Sequence, residues 1–209
     1  MYERDTGMAV AIESVGGVDV AKRVQADEPF DVVVLASDAI DKLVAGGKVV
    51  AGSKVNVAHS GVAVAVKAGA PHPRIDSEAA LRAAVLDART LGYSTGPSGV
   101  ALAKLFERWG IAGEIKDRIV TAPPGVPVGS FVAKGEIELG FQQLSELMHL
   151  EGIDVLGALP EPVQIVTTFS AGACVASAQP DAVRDLLAFL GSTQTAEAKR
   201  RQGMEPADA

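Results

Sequence analysis

The chain has 209 residues, 48% apolar and 22% charged, enough for one large globular domain or two small ones. Its net charge of −7, without a Lys/Arg stripe, excludes a nucleic-acid surface, and no apolar run reaches the roughly 20 residues of a membrane span. A single cysteine, Cys174, excludes an intrachain disulfide, and no Cys/His cluster points to a metal or other cofactor. Aromatic residues are only 4%, so the core must be built from Ala, Val, Leu and Ile, which suits parallel sheets flanked by Ala-rich helices.

In chain order, Tyr2-Glu-Arg-Asp-Thr-Gly7 reads as the last turn of a helix closed by glycine. Met8–Glu13 reads as a strand, and Gly16-Gly17 as a turn into a helix over Asp19–Gln25. Asp31–Leu35 is a continuous apolar run, as expected of a strand buried on both faces. Ala39–Val44 reads as a helix ended by Gly46-Gly47, and Gly61–Lys67 as another buried strand. A Pro-rich connector, residues 69–74, leads to a helix over Ser77–Ala88, a strand at Leu91–Tyr93 and the loop Ser94–Gly99, which opens a helix reaching Trp109.

Strands follow at Ile119–Thr121, Ile137–Phe141, Ile153–Ala158, Gln164–Phe169 and Ala173–Ala178, with a helix over Val126–Ala133 and terminal helices over Asp181–Leu190 and Thr195–Gln202. Strand and helix alternate throughout, which predicts an α/β fold with mainly parallel sheets. The connectors near Pro71–Pro73 and Pro160–Pro162 bracket a central block. They predict one lobe from 1–67 with 168–209 and a second from 68–167, with a ligand cleft between them.

Four loops place small residues where a strand ends or a helix begins: Ser14–Gly17, Ala36–Asp38, Ser94–Gly99 and Pro123–Val126. A helix N-terminus exposes unpaired N–H groups and the positive end of its dipole, and Gly and Ser let a ligand approach that backbone. In open α/β sheets such loops converge beyond the carboxyl ends of the strands. The pattern predicts an uncharged, hydrogen-bonding anion site. The residues assigned to it are Gly16, Gly17, Ala36, Ser37, Ser60, Ser94, Ser98, Gly99 and Val126, with the adjacent amides Gln142 and Gln143 donating from the end of their strand. His59 and Glu13 are the candidate general bases if the site is catalytic. His72, His149 and Trp109 read as surface or packing residues, and Cys174 as a buried strand residue rather than a nucleophile.

The run Phe30–Asp38, then Gly61–Val66, Gly96-Pro-Ser-Gly-Val100, Phe131–Phe141 and the ending Ala198–Met204 together resemble the molybdate-binding family of substrate-binding proteins over nearly the whole chain. The resemblance implies the type II periplasmic-binding fold and an oxyanion held by hydroxyls and backbone N–H groups. It places Ala36, Pro97-Ser98-Gly99 and Gly125-Val126 at the family's donor positions. It also departs from the pattern: Val15–Val18 replaces a serine-rich loop, Gln143 stands where the family has a cleft tyrosine, and the family's first strand has no counterpart.

A bacterial aconitate isomerase also resembles this family, so the same fold can host an allylic proton transfer on a tricarboxylate. Three functions follow as expectations. The first is a receptor for a small anion, oxyanion or carboxylate, working with the membrane component of an ABC-type transporter. The second is the isomerase, and the third a cytoplasmic ligand-sensing domain. Polar residues directly after Met1 predict a cytoplasmic chain as written, and a periplasmic one if the N-terminus is truncated.

Overall fold

The computed structural model describes residues 1–207. In chain order the helices and strands are α1 (Tyr2–Thr6), α2 (Gly17–Gln25), β1 (Val32–Ala36), α3 (Ser37–Ala45), β2 (Val55–Lys67), α4 (Glu78–Asp87), β3 (Leu91–Ser94), α5 (Pro97–Arg108), α6 (Ala112–Ile115), β4 (Ile119–Ala122), α7 (Val128–Lys134), β5 (Leu139–Gln143), α8 (Leu144–Leu147), β6 (Ile153–Ala158), β7 (Val166–Ala173), α9 (Pro180–Gly191), α10 (Ala196–Arg201) and β8 (Glu205–Pro206). They form two compact units. One comprises Met1–His59 and Thr168–Arg201 with the β8 segment, and the other Ser60–Thr167 with Gln202–Met204. The division falls inside β2, at His59/Ser60, rather than after Lys67, because this strand runs unbroken for 13 residues and contributes to both units.

In the first unit β1 pairs antiparallel with β7, and β8 with the start of β2. Val33 and Leu35 on one face of β1 join Val24 of α2 and Ile40 and Leu43 of α3 in one core cluster. Val32 on the other face packs with Ala171, Val183 and Leu187 beneath α9. Val34, on the same face of β1 as Val32, stays 46% exposed, and the expectation that this run is buried on both faces fails there. The strand expected at Met8–Glu13 does not form. These residues are irregular and mostly exposed, since no neighbouring strand satisfies their backbone. α1 ends as the sequence predicts, with Gly7 left-handed (φ 73°) and its N–H bonded to the Glu3 carbonyl.

In the second unit the strand order is β6-β2-β5-β3-β4. β4-β3-β5 is parallel, whereas β2 runs antiparallel to β5 and β6, so the sheet is mixed where parallel pairing was expected. One face carries the largest core: Leu81 and Val85 from α4, and Leu102, Leu105 and Phe106 from α5, against Val62, Val64, Leu91 and Phe141. The rings of Phe106 and Phe141 meet edge-on at 6.1 Å, and Phe106 also meets Trp109 at 5.9 Å. Trp109 is a packing residue whose Nε1 donates to Glu78 at 2.6 Å.

On the opposite face α7 lies close over the sheet. A Cβ at Gly140 would stand 2.4 Å from the Val132 side chain of α7, and one at Gly92 2.1 Å from Ile137 in the segment that follows α7, so glycine is required at both positions. The two strands expected at Gln164–Phe169 and Ala173–Ala178 are one, β7, and Cys174 lies just past it in an isolated bridge to Val49. Among the described residues no helix is long and apolar enough to cross a membrane.

Candidate anion site

The expected site residues divide between the two units. In the first, Gly16 is the N-cap of α2, its carbonyl accepting from Asp19 and Val20 N–H, and Gly17 opens the helix. Ala36 ends β1 and is the N-cap of α3, which begins at Ser37 with no intervening loop. Neither helix has a side-chain cap, so first-turn N–H groups stay open, whereas Ser77 Oγ closes α4 by accepting from Ala80 N–H at 3.2 Å.

The two candidate bases also lie in the first unit. Glu13 is exposed, and its carboxylate is held by Arg23 at 2.8 Å, a guanidinium that also binds Glu28. His59, half-buried near the division point of β2, bonds through Nδ1 to Thr168 Oγ1 at 2.9 Å. Cys174 is buried, and desolvation together with the nearby Asp31 carboxylate pushes its thiol up to about 11. A nucleophilic role needs the thiolate, which that environment disfavours.

The second unit gathers Ser60, Ser94, Ser98, Gly99, Val126, Gln142 and Gln143. β3 and β5 run parallel in the register Leu91↔Leu139 and Gly92↔Gly140, so the turn leaving β3 is level with Gln142 at the end of β5. Ser94 Oγ accepts from Gly96 N–H at 3.3 Å and shapes the turn. α5 then begins at Pro97, which has no N–H to leave open, so Ser98 and Gly99 present the first backbone donors. A Cβ at Gly99 would lie 1.7 Å from the Ser94 carbonyl oxygen, so the tight return of the chain at this point requires glycine.

Gln142 and Gln143 are neighbours with opposite fates, because successive strand residues face opposite sides. Gln142 Oε1 accepts from Val128 N–H at 2.8 Å, which places this amide in the structural bond that holds α7. The helix expected from Val126 starts two residues later. Val126 lies 39% exposed in a turn, its N–H bonded to the Pro123 carbonyl, and its expected donor is thereby used. Gln143 shares the face of Phe141 and is only 4% exposed, and Ser98 is only 3% exposed. Neither side chain has a hydrogen-bond partner among the described residues, and no fully buried side-chain polar atom there lacks one. The little surface that Ser98 and Gln143 retain therefore includes their polar tips. A buried hydroxyl and amide kept open in this way is an arrangement that proteins rarely leave without a ligand or water to complete it.

From Tyr93 to Gly99, Ala122 to Val128 and Phe141 to Ser145 there is no charged residue, so an anion here would be held by dipoles alone. A separate groove of about 270 Å³ runs along α5, lined by Ala101, Lys104, Leu105, Arg108 and Pro162–Ile165. Its Gln164 amide is already bonded to the Val62 carbonyl and Ile165 N–H, so the groove offers cations at its rim but not the open neutral donors of the strand ends. No local sequence signal marks Ser145, whose Oγ stands 3.2 Å from that of Ser60. Only the pairing of β2 with β5 reveals it.

Two α/β units through which a long strand passes, with open helix N-termini at the strand ends, define a protein of the type II periplasmic-binding class. Residues 1–205 match the bacterial extracellular solute-binding protein family, and the chain belongs to that family. The aconitate isomerase of a Pseudomonas species is 39% identical over 216 residues, spanning 100% of this chain and 81% of that protein. The molybdate-binding protein ModA of Azotobacter vinelandii is 30% identical over 173 residues, 78% of this chain and 67% of that protein. In structure, the periplasmic molybdate-binding protein of Azotobacter vinelandii matches with a TM-score of 0.78 at 20% identity, over 97% of this chain and 90% of that one.

Proposed function

We propose that the protein binds a small anion, a carboxylate or oxyanion, at the carboxyl ends of β4-β3-β5, and serves as the receptor of an ABC-type transport system. The observation that carries this reading is the pair of buried, unpartnered polar groups, Ser98 and Gln143, beside the uncapped start of α5. Hydrogen-bond donors with no cation among them suit an anion that must be both held and released. Gln143, a planar amide where the family resemblance implies a tyrosine, favours the choice of carboxylates. The test is calorimetric titration with trans-aconitate, citrate, molybdate and sulfate. Saturable binding of a carboxylate, lost in Ser98→Ala/Gln143→Ala, supports the reading, and silence toward all four overturns it.

A second reading, an isomerase that moves an allylic proton on a tricarboxylate, is favoured by the 39% identity to an aconitate isomerase over the full chain. It requires a base within reach of a C–H bond. Of the two candidates, His59 is the better placed. In the tautomer whose Nδ1–H donates to Thr168 Oγ1, Nε2 is the nitrogen that takes a proton, whereas the Glu13 carboxylate is already bound by Arg23. Incubation with cis- or trans-aconitate in D₂O, followed by proton NMR, separates the readings. Deuterium incorporation with equilibration of the isomers establishes catalysis, and its loss in His59→Ala but not Glu13→Gln identifies the base. Neither labelling nor interconversion leaves the receptor.

A further inference from the structure

The hydroxyl pair of Ser60 and Ser145 has a direction that the rest of the unit imposes. β2 and β5 are antiparallel with Val62 opposite Gln143, and continuing that register by two residues sets Ser60 against Ser145, two residues beyond Gln143. The two Oγ atoms stand 3.2 Å apart, Ser60 fully buried and Ser145 half-buried. A serine hydroxyl has one proton to donate and two acceptor sites. Ser60 Oγ has no hydrogen-bond partner other than Ser145 among the described residues. If Ser145 donated to Ser60, the Ser60 proton would be stranded in a buried place without an acceptor, which costs more than an unmade bond at the surface. Ser60 is therefore the donor, Ser145 the acceptor, and the Ser145 proton is the one left free.

We infer that Ser145 is a third ligand donor beside Gln143, and that Ser60 is a positioning residue acting through it, so that the site selects groups presenting acceptors only, such as ionised carboxylates or fully deprotonated oxyanions. The inference rests on the anion-binding reading above. An accepted hydrogen bond from Ser60 polarises the Ser145 hydroxyl and makes it a better donor. A ligand that brings its own proton to the same spot, a neutral acid or an amide N–H, would meet a donor facing a donor.

The test is titration of the full chain with trans-aconitate and with sodium molybdate, for the wild type, Ser145→Ala, Ser60→Ala, the double variant and Ser145→Thr, with a thermal midpoint for each. Loss of a hydrogen bond to a charged group is worth about 1.5–3 kcal/mol, which is about tenfold to a hundredfold in affinity. The expected result is that loss in Ser145→Ala for whichever probe the wild type binds. Ser60→Ala should lose less, the double variant should bind no worse than Ser145→Ala, and Ser145→Thr should recover most of the affinity. If Ser145→Ala lowers the thermal midpoint but binds as the wild type does, or if the two single losses add in the double variant, the inference is overturned while the anion reading stands. If the wild type binds neither of these probes nor citrate or sulfate, both fall, and the serine pair is a packing contact between β2 and α8.

Discussion

The strand ends of the two units answer the same sequence pattern in different ways. In the first unit, the loop before α2 and the Ala36-Ser37 junction are partly open to water, and the carboxylate and imidazole nearby already have partners in Arg23 and Thr168. In the second, Ser98 and Gln143 are almost fully enclosed and have no side-chain partner among the described residues. An open small residue before a helix is an ordinary way to end a strand, since water satisfies whatever the chain does not. A buried polar group without a partner carries a desolvation cost that a ligand can offset. The second unit therefore supplies the stronger half of the case for binding.

That contrast can be broken most severely at Gly99. Gly99→Ala forces a methyl group into the Ser94 carbonyl, and we expect a stability loss of about 3 kcal/mol in urea denaturation, together with loss of binding. A variant as stable as the wild type would show that the β3–α5 turn is not as tight as described.

The adjacent glutamines sharpen the comparison. Gln142→Ala strands the Val128 N–H and should cost about 1–3 kcal/mol in the same denaturation experiment. Gln143→Ala removes an amide that holds nothing in the protein, so stability should change by less than about 0.5 kcal/mol while titration shows weaker anion binding. Equal stability losses at the two positions would refute the assignment of one to structure and the other to ligand.

Smaller effects are expected from the serines. Ser98→Ala should weaken binding by about 1.5 kcal/mol, roughly tenfold, without loss of stability. Ser37→Ala, in the first unit, should stay within about 0.5 kcal/mol in stability. A Ser37 effect on binding as large as that of Ser98 would place the two strand ends on equal terms.

Cys174 gives a separate readout, against pH. Its folded thiol titrates at about 11 against an ordinary value of 9.0, so the unfolded chain releases this proton first. The stabilising contribution is complete below pH 9 and declines as pH rises toward 11. The denaturation midpoint of the wild type should therefore fall over that window more steeply than that of Cys174→Ala. Parallel curves would mean that the thiol is more accessible than its burial implies.

Local periodicity and capping chemistry sufficed for the α/β class, most helices to within two residues and the Gly7 and Ser77 helix ends. The sequence also singled out Ser94–Gly99, since glycine and proline mark such a turn wherever it falls. Pairing it could not determine. Met8–Glu13 has the residues of a strand but no neighbour to bond with, and β2 extends six residues upstream of the apolar run that announced it. The roles within the candidate site depended on pairing too. Gln142 and Gln143 are identical in sequence terms, and only the pleat of β5 turns one toward Val128 and leaves the other open. Ser60 and Ser145 are 85 residues apart, and only the antiparallel register of β2 and β5 makes them a pair. Local conformation is decided by neighbours along the chain, whereas the free or engaged state of a polar group is decided by which distant backbone lies within about 3 Å of it.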